Sequence, residues 1–481
     1  MRVLFRYVRF PDEVRACHTR KRFTVSVRQT YICLATHFDV SSSRAATTTD
    51  AGRKLPKDSR RRVAVVVGVV FLDLVGFGII IPILPFYVRS FGVSDVFIGL
   101  LAASYSLAQF VAAPVLGRVS DERGRRPVLM LSVGVAGIAW VVFGFAAQIG
   151  ATAGTVAGLV ALFGARLLAG AAGGNIAAAQ AYIADVTPKE RRAGALGLIG
   201  AAFGLGFVLG PSIGGLLASE TAVSFARAVL PGFVPVTQFS LPSFAAAALS
   251  FAALGAAAVV LKEPERKRAA GRRNGFVAQF RTALSDATLR PLVIAFFLTS
   301  LSFAGVTVMF VPFVADFFGY DATEAALFLA YIGVLAVVNQ GFLIGRLAHS
   351  YGARRVVKAG VVSLFAALLL LAASPLAGTS PVLFGPDWFT SGLVVLLGFG
   401  ALASFGNGAI TVGLATLVSE GASDETQGAA FGVTQGAGSL GRTVGPPLAA
   451  AAYVVVYWSP FVAGALLLIP VAVLLRNRVS V

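Results

Sequence analysis

Three charged residues lie deep inside long apolar stretches of the chain: Asp73, Arg166 and Arg442. A charge at the centre of a bilayer costs roughly 2.5 to 3.5 kcal/mol on insertion scales, so charged residues at that depth are functional by default and need compensation. An opposite charge favours an ionised carboxyl and burial disfavours it. We therefore predict that Asp73 pairs with one or both arginines beside a wet cavity and exchanges a proton as its surroundings change. The alternative is a permanent salt bridge that holds helices together.

Neutral polar side chains accompany these charges. Some recur four residues apart, which places both on one helix face, and Gln435 shares a face with Arg442 at a spacing of seven. They could line a substrate route, although each could equally form a hydrogen bond between helices. The predicted cavity residues are Tyr105, Gln109, Asn339, Gln340, Asn407, Thr411 and Gln435.

The elements that hold these residues are long and apolar. Of the 481 residues, 57% are hydrophobic and 13% charged, and the mean hydropathy is +0.82, which is typical of a polytopic membrane protein. A helix needs about 20 apolar residues to cross a bilayer. Twelve such spans are predicted, numbered 1 to 12 in chain order: 63–88, 97–117, 127–148, 155–184, 194–218, 240–262, 290–314, 323–347, 355–376, 388–419, 427–452 and 454–476.

The apolar runs are continuous and lack the period-two alternation of a membrane barrel, so an all-α fold is predicted. Two segments recur: GRVSDERGRRPVL after span 2 is similar to GRLAHSYGARRVV after span 8, and GPSIGG at Gly210 is similar to GPPLAA at Gly445. We predict two six-helix pseudo-repeat bundles around a site near the midplane, which is a transporter arrangement. The predicted domains are a basic tail at 1–62, bundles at 63–262 and 290–478, and a cytoplasmic linker at 263–289.

The positive charge is unevenly distributed. The loops after even-numbered spans are rich in Lys and Arg, so both termini are expected in the cytoplasm and the spans in the cell membrane. More than half of the net charge of +18 lies in residues 1–62, and most of the rest faces anionic lipid, so nucleic acid is not an expected partner. The tail lacks a signal-peptide layout. It is interpreted as a solvated tail, a transit peptide or the product of a misassigned start codon.

Two motifs connect the chain to a known family. In span 5, glycines and one proline follow the pattern G, eight residues, G, three residues, G-P, two residues, G-G. The loop after span 2 follows G-x-L-x-D-R-x-G-R-R/K, with Val119 in place of Leu and Glu122 in place of Arg. The chain thereby resembles the major facilitator superfamily, and within it the twelve-span drug:proton antiporters that include the tetracycline efflux proteins. The span 5 residues are Gly197, Gly206, Gly210, Pro211, Gly214 and Gly215; the loop residues are Gly117, Asp121, Gly124, Arg125 and Arg126.

The resemblance implies a gating role for the loop after span 2. Asp121 is expected to contact the start of span 11 around Gln427, because the dipole of a helix N-terminus favours an anion. Arg125 and Arg126 are expected to pair with Asp185 at the end of span 4. Such contacts would hold one access state and break in the other. The alternative is that these charges serve only to set the topology.

Enzyme signatures are missing from the sequence. It has no G-x-x-x-x-G-K-[ST] phosphate loop, and its three histidines are too scattered for a metal cluster, so we predict neither catalysis nor a metal or other cofactor. We predict a proton-coupled antiporter, acting as a monomer, that exports small lipophilic or drug-like compounds by alternating access. The alternatives are a metabolite, sugar or lipid carrier of the same superfamily, and a non-transporting receptor or scaffold. Span 9 lacks the acid expected of tetracycline exporters, which argues against tetracycline as the substrate.

Overall fold

The computed structural model describes residues 57–264, 276–378, 390–421 and 427–475. The predicted tail and part of the predicted linker lie outside these ranges. Ten helices in the described ranges are long and apolar enough to cross a membrane. Helix Gln427–Val455 and the 16-residue helix Ser459–Leu474 lie at the positions of predicted spans 11 and 12. In chain order the spans are Lys57–Ile80, Val96–Arg123, Arg125–Ala153, Thr155–Val186, Lys189–Ala218, Ser240–Val260, Leu289–Phe318, Ala322–Tyr351, Ala353–Ala373, Ser391–Gly421, Gln427–Val455 and Ser459–Leu474. Short helices at Leu84–Arg89, Glu220–Val229 and Phe276–Ser285 flank or connect them.

The outer surface of the helices is apolar. Leu131, Val156 and Val362 are 63%, 75% and 68% exposed, whereas Trp140 and Phe313 are almost fully buried. Such large exposed side chains along most spans would be unfavourable in water and suit contact with lipid. The chain is therefore a multi-pass membrane protein whose helices satisfy their own backbone groups.

The two sets of six spans pack in the same pattern. Span 1 packs on spans 5 and 6, as span 7 packs on spans 11 and 12; span 3 packs on spans 4 and 6, as span 9 packs on spans 10 and 12. Contacts between the sets are also symmetric, because span 2 packs on span 11 and span 5 on span 8. The predicted pair of six-helix pseudo-repeat bundles is confirmed by this packing.

Two glycines mark the repeat. Gly124 separates spans 2 and 3 with a φ of 121°, and Gly352 separates spans 8 and 9 with a φ of 84°. Residues with a side chain rarely adopt these backbone angles, so each helix ends at its glycine and the next begins directly after it. Below, the end of the bundle that carries Gly124 is the basic end, and the opposite end is the Arg89 end.

Three spans are less regular than the sequence predicts. The span 1 helix ends at Ile80, and the chain resumes as the short helix Leu84–Arg89, because proline at 82 lacks a backbone donor. Span 4 is interrupted at Gly173 and Gly174, which separate the helices Thr155–Ala172 and Asn175–Val186. Span 8 contains a π-helical turn at Asn339–Leu343, an irregularity that is frequent at functional sites.

Candidate functional site

A central cavity of about 370 Å³ lies between the two bundles. Its walls come from spans 1, 2, 4 and 5 of the first bundle and from spans 7, 10 and 11 of the second. Ligand sites of proteins are typically apolar clefts with a few polar groups, of roughly 300–1,000 Å³. The cavity fits that description and lies where the sequence places the substrate route.

Arg166 lines this cavity from the first helix of span 4. Its side chain is 5% exposed, and its guanidinium carbon lies 4.6 Å from the ring centroid of Tyr105 and 5.6 Å from that of Phe77. The Nε atom is buried and has no hydrogen-bond partner. Cation–π contacts of this kind contribute about 2 kcal/mol when desolvated, so they only partly offset the burial of the charge.

Asp73 lies one helical turn before Phe77 and is half-buried, but it does not line the cavity. Its side chain interacts with Asn175, the first residue of the second helix of span 4. The Asn175 amide is itself buried, and neither its nitrogen nor its oxygen reaches hydrogen-bonding geometry with any group. The acid therefore faces the interruption of span 4.

The direct ion pair expected from the sequence is not formed in this conformation. Within the described ranges, Asp73 has no salt bridge with Arg166 or Arg442. The rings of Phe77 and Tyr105, whose centroids lie 4.8 Å apart, occupy the space beside the Arg166 guanidinium instead. All three charged residues nevertheless interact electrostatically with Tyr105, so they surround one aromatic pair.

Arg442 lines the opposite wall of the cavity from span 11. Its guanidinium donates a hydrogen bond of 2.8 Å to the Ser439 hydroxyl on the same helix. Gln435 lines the cavity as well, as the shared helix face predicts. The two arginines thus come from different bundles and face one volume.

Only part of the predicted polar set lines the cavity. Tyr105, Asn407 and Thr411 join Gln435 in its wall. The other three lie elsewhere. Gln109 donates to the Gly173 carbonyl at 3.2 Å, Asn339 donates to the Ser404 hydroxyl at 3.2 Å, and Gln340 packs beside Gly408. The alternative of hydrogen bonds between helices therefore applies to Gln109 and Asn339.

Span 7 supplies cavity residues that sequence reasoning missed. Thr299, Phe303 and Thr307 all line the cavity. They are spaced four residues apart and so share one helix face. Two polar threonines eight residues apart on one face of an apolar run, Thr299 and Thr307, were the available signal. The aromatic residues Phe77 and Phe207 gave no such signal, because phenylalanine is common on every face of the spans.

An ion cluster occupies the basic end within the first bundle. Arg125 contacts Asp121 at 2.7 Å and Asp185 at 3.2 Å, and it donates to the Ser120 hydroxyl at 3.1 Å. Arg126 donates instead to the Ala258 carbonyl at 3.0 Å. The side chain of Gln427, the expected partner of Asp121 on span 11, lies outside the described part.

Glu263 caps the first turn of span 3 at the same end. Its two carboxylate oxygens accept hydrogen bonds from the backbone N–H groups of Arg125 and Arg126, at 2.7 and 2.9 Å. These N–H groups would otherwise have no partner in the helix, and the helix dipole favours an anion there. A side chain on Gly124 would approach this carboxylate to 2.9 Å. The motif glycine is thus required by its backbone angle.

The glycines of span 5 let span 1 approach closely. A Cβ on Gly206 would lie 2.8 Å from Leu74, one on Gly210 would lie 2.6 Å from Gly78, and one on Gly214 would overlap the Ile79 carbonyl. Gly215 faces the other bundle, where it packs against Ala326 of span 8, whereas Gly197 has open space beside it. Pro211 lies within the span 5 helix and near Gly78. The motif therefore supports the helix that carries Asp73.

A second ion cluster, absent from the predicted sites, joins the bundles at the Arg89 end. Arg89 pairs with Asp95 through two hydrogen bonds of 2.8 and 2.6 Å, and with Asp316 of span 7 through two of 2.7 and 2.9 Å. Tyr453 donates a further bond of 2.7 Å to Asp316. The hydrogen bonds to Asp95, and then those to Asp316, raise the pKa of Arg89. We name these four residues the Arg89 cluster.

The bundles touch near the Arg89 end. Near the Arg89 end, Gly99 packs directly against Pro446 and Ala450, and Thr323 donates a 3.1 Å hydrogen bond to the Gly215 carbonyl. Toward the basic end, the space beside the small residues of the facing spans is open. These residues are Gly117, Gly197, Gly345 and Gly432. The structure is therefore closed at the Arg89 end.

Comparisons with known proteins agree with this architecture. The family model described as Major Facilitator Superfamily matches residues 66–401. The class C tetracycline resistance protein of Escherichia coli is 31% identical over 401 residues, which cover 82% of this chain and 90% of that protein. Multidrug resistance protein 2 of Bacillus subtilis (strain 168) is 24% identical over 321 residues, which cover 65% of this chain and 73% of that protein.

A solved structure shares the fold. It is a bacterial homologue of the human lysosomal transporter Spinster, in an inward-facing and occupied conformation, with a TM-score of 0.71 and 17% sequence identity. The match covers 88% of this chain and 97% of that one. At this identity the match shows the arrangement of the helices alone.

Proposed function

From the premise that this chain belongs to the Major Facilitator Superfamily, we propose that it is a proton-coupled antiporter that exports small lipophilic or drug-like compounds. As a member of that family it is a membrane transporter and not an enzyme. The single observation that carries the coupling is the position of Asp73. It is a half-buried acid at mid-depth, next to the interruption of span 4 and close to a cavity shared by both bundles.

In the proposed cycle Asp73 carries the coupling proton. In the conformation described here Asp73 faces Asn175, and Phe77 and Tyr105 cover Arg166. A change of access state would bring the carboxylate toward Arg166 or Arg442, and an opposite charge favours loss of its proton. Alternation between these surroundings would couple proton release to movement of the bundles. No further cofactor is needed.

The two ends supply the proposed gates. The Arg89 cluster would hold the present state, and the cluster of Asp121, Arg125 and Asp185 would join the second bundle in the opposite state. The small residues Gly206, Gly210 and Gly214 support span 1 at close range, so that Asp73 moves with span 5. The role of the Arg89 cluster is supported by its contacts between the bundles in the present state.

We place the protein in the cell membrane with both termini in the cytoplasm. The distribution of Lys and Arg supports this orientation, and it makes the basic end the cytoplasmic one. The domain division predicted from the sequence is proposed with it, as is activity as a monomer without a nucleic-acid partner. The relatives named for tetracycline and multidrug resistance support export of drug-like compounds.

The test uses the purified full-length chain in proteoliposomes with an imposed pH gradient. Three probes cover the charge classes: ethidium as a cation, chloramphenicol as a neutral compound and 1-naphthaleneacetate as an anion. Uptake of at least one probe should require the gradient, and Asp73→Asn should abolish that dependence. Asp73→Glu should retain part of it, and Glu122→Gln, which removes an exposed acid at the basic end, should leave it unchanged. Transport that ignores the gradient in the unsubstituted protein would exclude proton coupling.

A further inference from the structure

The cavity has an unbalanced charge. Two arginines line it, Arg166 from the first bundle and Arg442 from the second, and no carboxylate of the described residues does so. Asp73 lies outside the lining and forms no ion pair with either arginine. The cavity therefore carries two positive charges and no fixed negative one.

Arg166 is a buried cation with unused donors. It is 95% buried, its Nε has no partner, and among the described residues no group accepts a hydrogen bond from it. Its guanidinium carbon lies over the rings of Phe77 and Tyr105. A guanidinium presents five N–H donors in a planar fork that matches a carboxylate. The arrangement thus holds a preformed anion-binding group at the cavity wall.

Arg442 supplies a second such group from across the cavity. It uses one donor on Ser439, and its other donors have no acceptor in the described ranges. Both arginines interact electrostatically with Tyr105, which places them around one region. An anion held there would contact both bundles at once.

The rest of the wall is apolar. Phe77, Phe207, Phe296, Phe303 and Val311 are among the hydrophobic residues that line it. A volume of about 370 Å³ is at the small end of the usual range for ligand sites. A matching ligand therefore has one anionic group and a compact aromatic or aliphatic body.

We propose that the cavity binds amphipathic organic anions, with a carboxylate or sulfonate held between Arg166 and Arg442 and the apolar body against the phenylalanines. The proposal rests on the proposed function for the statement that the bound compound is transported. It narrows the drug-like class to anions and excludes lipophilic cations, which two unpaired arginines repel.

The test compares three ligands that share one ring system: 1-naphthaleneacetate, 1-naphthaleneacetamide and 2-(1-naphthyl)ethylamine. Binding to the purified full-length chain in a neutral detergent is measured by equilibrium dialysis. The acetate should bind at least about tenfold more tightly than the amine, because charge-assisted and bidentate hydrogen bonds are the strong ones. Equal affinity for acetate and amine would overturn the proposal.

Substitutions locate the site. Arg166→Gln and Arg442→Gln should each weaken acetate binding about tenfold or more and leave acetamide binding nearly unchanged. Arg118→Gln removes an equal charge at the exposed basic end and should have no effect. Acetamide binding also reports folding. A variant that no longer binds the acetamide is therefore excluded, and the variant at the other arginine tests the proposal. Unchanged acetate binding in a folded arginine variant would show that the anion binds elsewhere.

Transport separates this proposal from the proposed function. Gradient-driven movement of ethidium, without arginine-dependent binding of naphthaleneacetate, would overturn the anion site and leave the antiporter. Arginine-dependent binding of naphthaleneacetate, together with transport that does not depend on the pH gradient, would support the anion site and overturn proton coupling.

Discussion

Both ends of the bundle carry arginine–aspartate ion pairs, but the pairs join different elements. At the basic end Arg125 pairs with Asp121 and Asp185, all from the first bundle. At the Arg89 end Arg89 pairs with Asp95 of its own bundle and with Asp316 of the other. The Arg89 cluster crosses the boundary between the bundles, whereas the contacts described for Arg125 lie within the first bundle. We expect the access state to depend on which ion pairs cross between the bundles.

The largest expected effect comes from steric change at the closed end. Gly99→Leu places a side chain where Pro446 and Ala450 already lie, so the Arg89 end should no longer close. Overpacking costs roughly 1–3 kcal/mol, which corresponds to a shift of the equilibrium of about 5- to 150-fold. Closure is read from a cysteine at Ser300, in the cavity wall, with Cys17 and Cys33 replaced by serine. An impermeant maleimide should label it from the Arg89 end in the variant.

The control for this variant lies on the same helix. Gly117→Leu adds the same side chain at the basic end, where nothing lies within 4 Å of the added atom. It should leave labelling from the Arg89 end unchanged. Equal labelling of the two variants would mean that contact at Gly99 does not hold the end closed.

A smaller effect is expected from the ion pair itself. Asp316→Asn removes the bridge from Arg89 to the second bundle, while Asp95→Asn removes a pair within the first bundle. Both pairs are partly exposed, so each contributes about 1 kcal/mol or less. Asp316→Asn should raise labelling at the Arg89 end by up to about fivefold. Asp95→Asn should raise it less, and the reverse order would contradict a role for bridging.

Loss of a carboxylate at the basic end should favour the access state opposite to the one favoured by Asp316→Asn. Asp121→Asn is expected to disfavour the state in which the basic end is closed, because it removes the anion proposed to join the second bundle there. The loss of an anion at a helix N-terminus costs about 0.3–1 kcal/mol, so labelling of the Ser300 cysteine from the basic end should rise two- to fivefold. Glu122→Gln is the matched control. Reduced labelling in Asp121→Asn would show that Asp121 stabilises the open state instead.

The smallest effect concerns stability alone. Glu263→Ala removes the carboxylate that caps span 3, at a cost of about 1 kcal/mol. The midpoint of thermal unfolding should fall by about 1–2 °C, since the shift per kcal/mol decreases with chain size. Glu122→Ala should leave it unchanged. A change in cysteine labelling without a change in the midpoint would assign Glu263 to gating.

Sequence patterns predicted the fold because hydropathy and local backbone rules determine it. Continuous apolar runs identified the twelve spans, and the glycines at 124 and 352 marked the same junction in both repeats. Sequence patterns did not predict the helix interruptions, because each interruption depends on only one or two residues. The interruption of span 4 depends on Gly173 and Gly174, which look like ordinary membrane glycines in a sequence with 53 of them.

The site was less accessible to sequence reasoning because it depends on distant contacts. Arg89 and Asp316 are 227 residues apart, and neither stands in a motif. Depth in the membrane indicated that Asp73 and Arg166 lie at similar levels, but depth does not tell which way each side chain points around its helix. The rings of Phe77 and Tyr105 beside Arg166 were therefore not foreseen.

The interruption of span 4 has a mechanical consequence. The helix Asn175–Val186 carries the neighbour of Asp73 near its first residue and the Arg125 partner Asp185 near its last. Ten residues of α-helix span about 15 Å and transmit axial displacement with little loss. The preceding glycines separate this helix from the segment that holds Arg166. A displacement at Asp73 would therefore be transmitted to the basic end without moving the cavity wall.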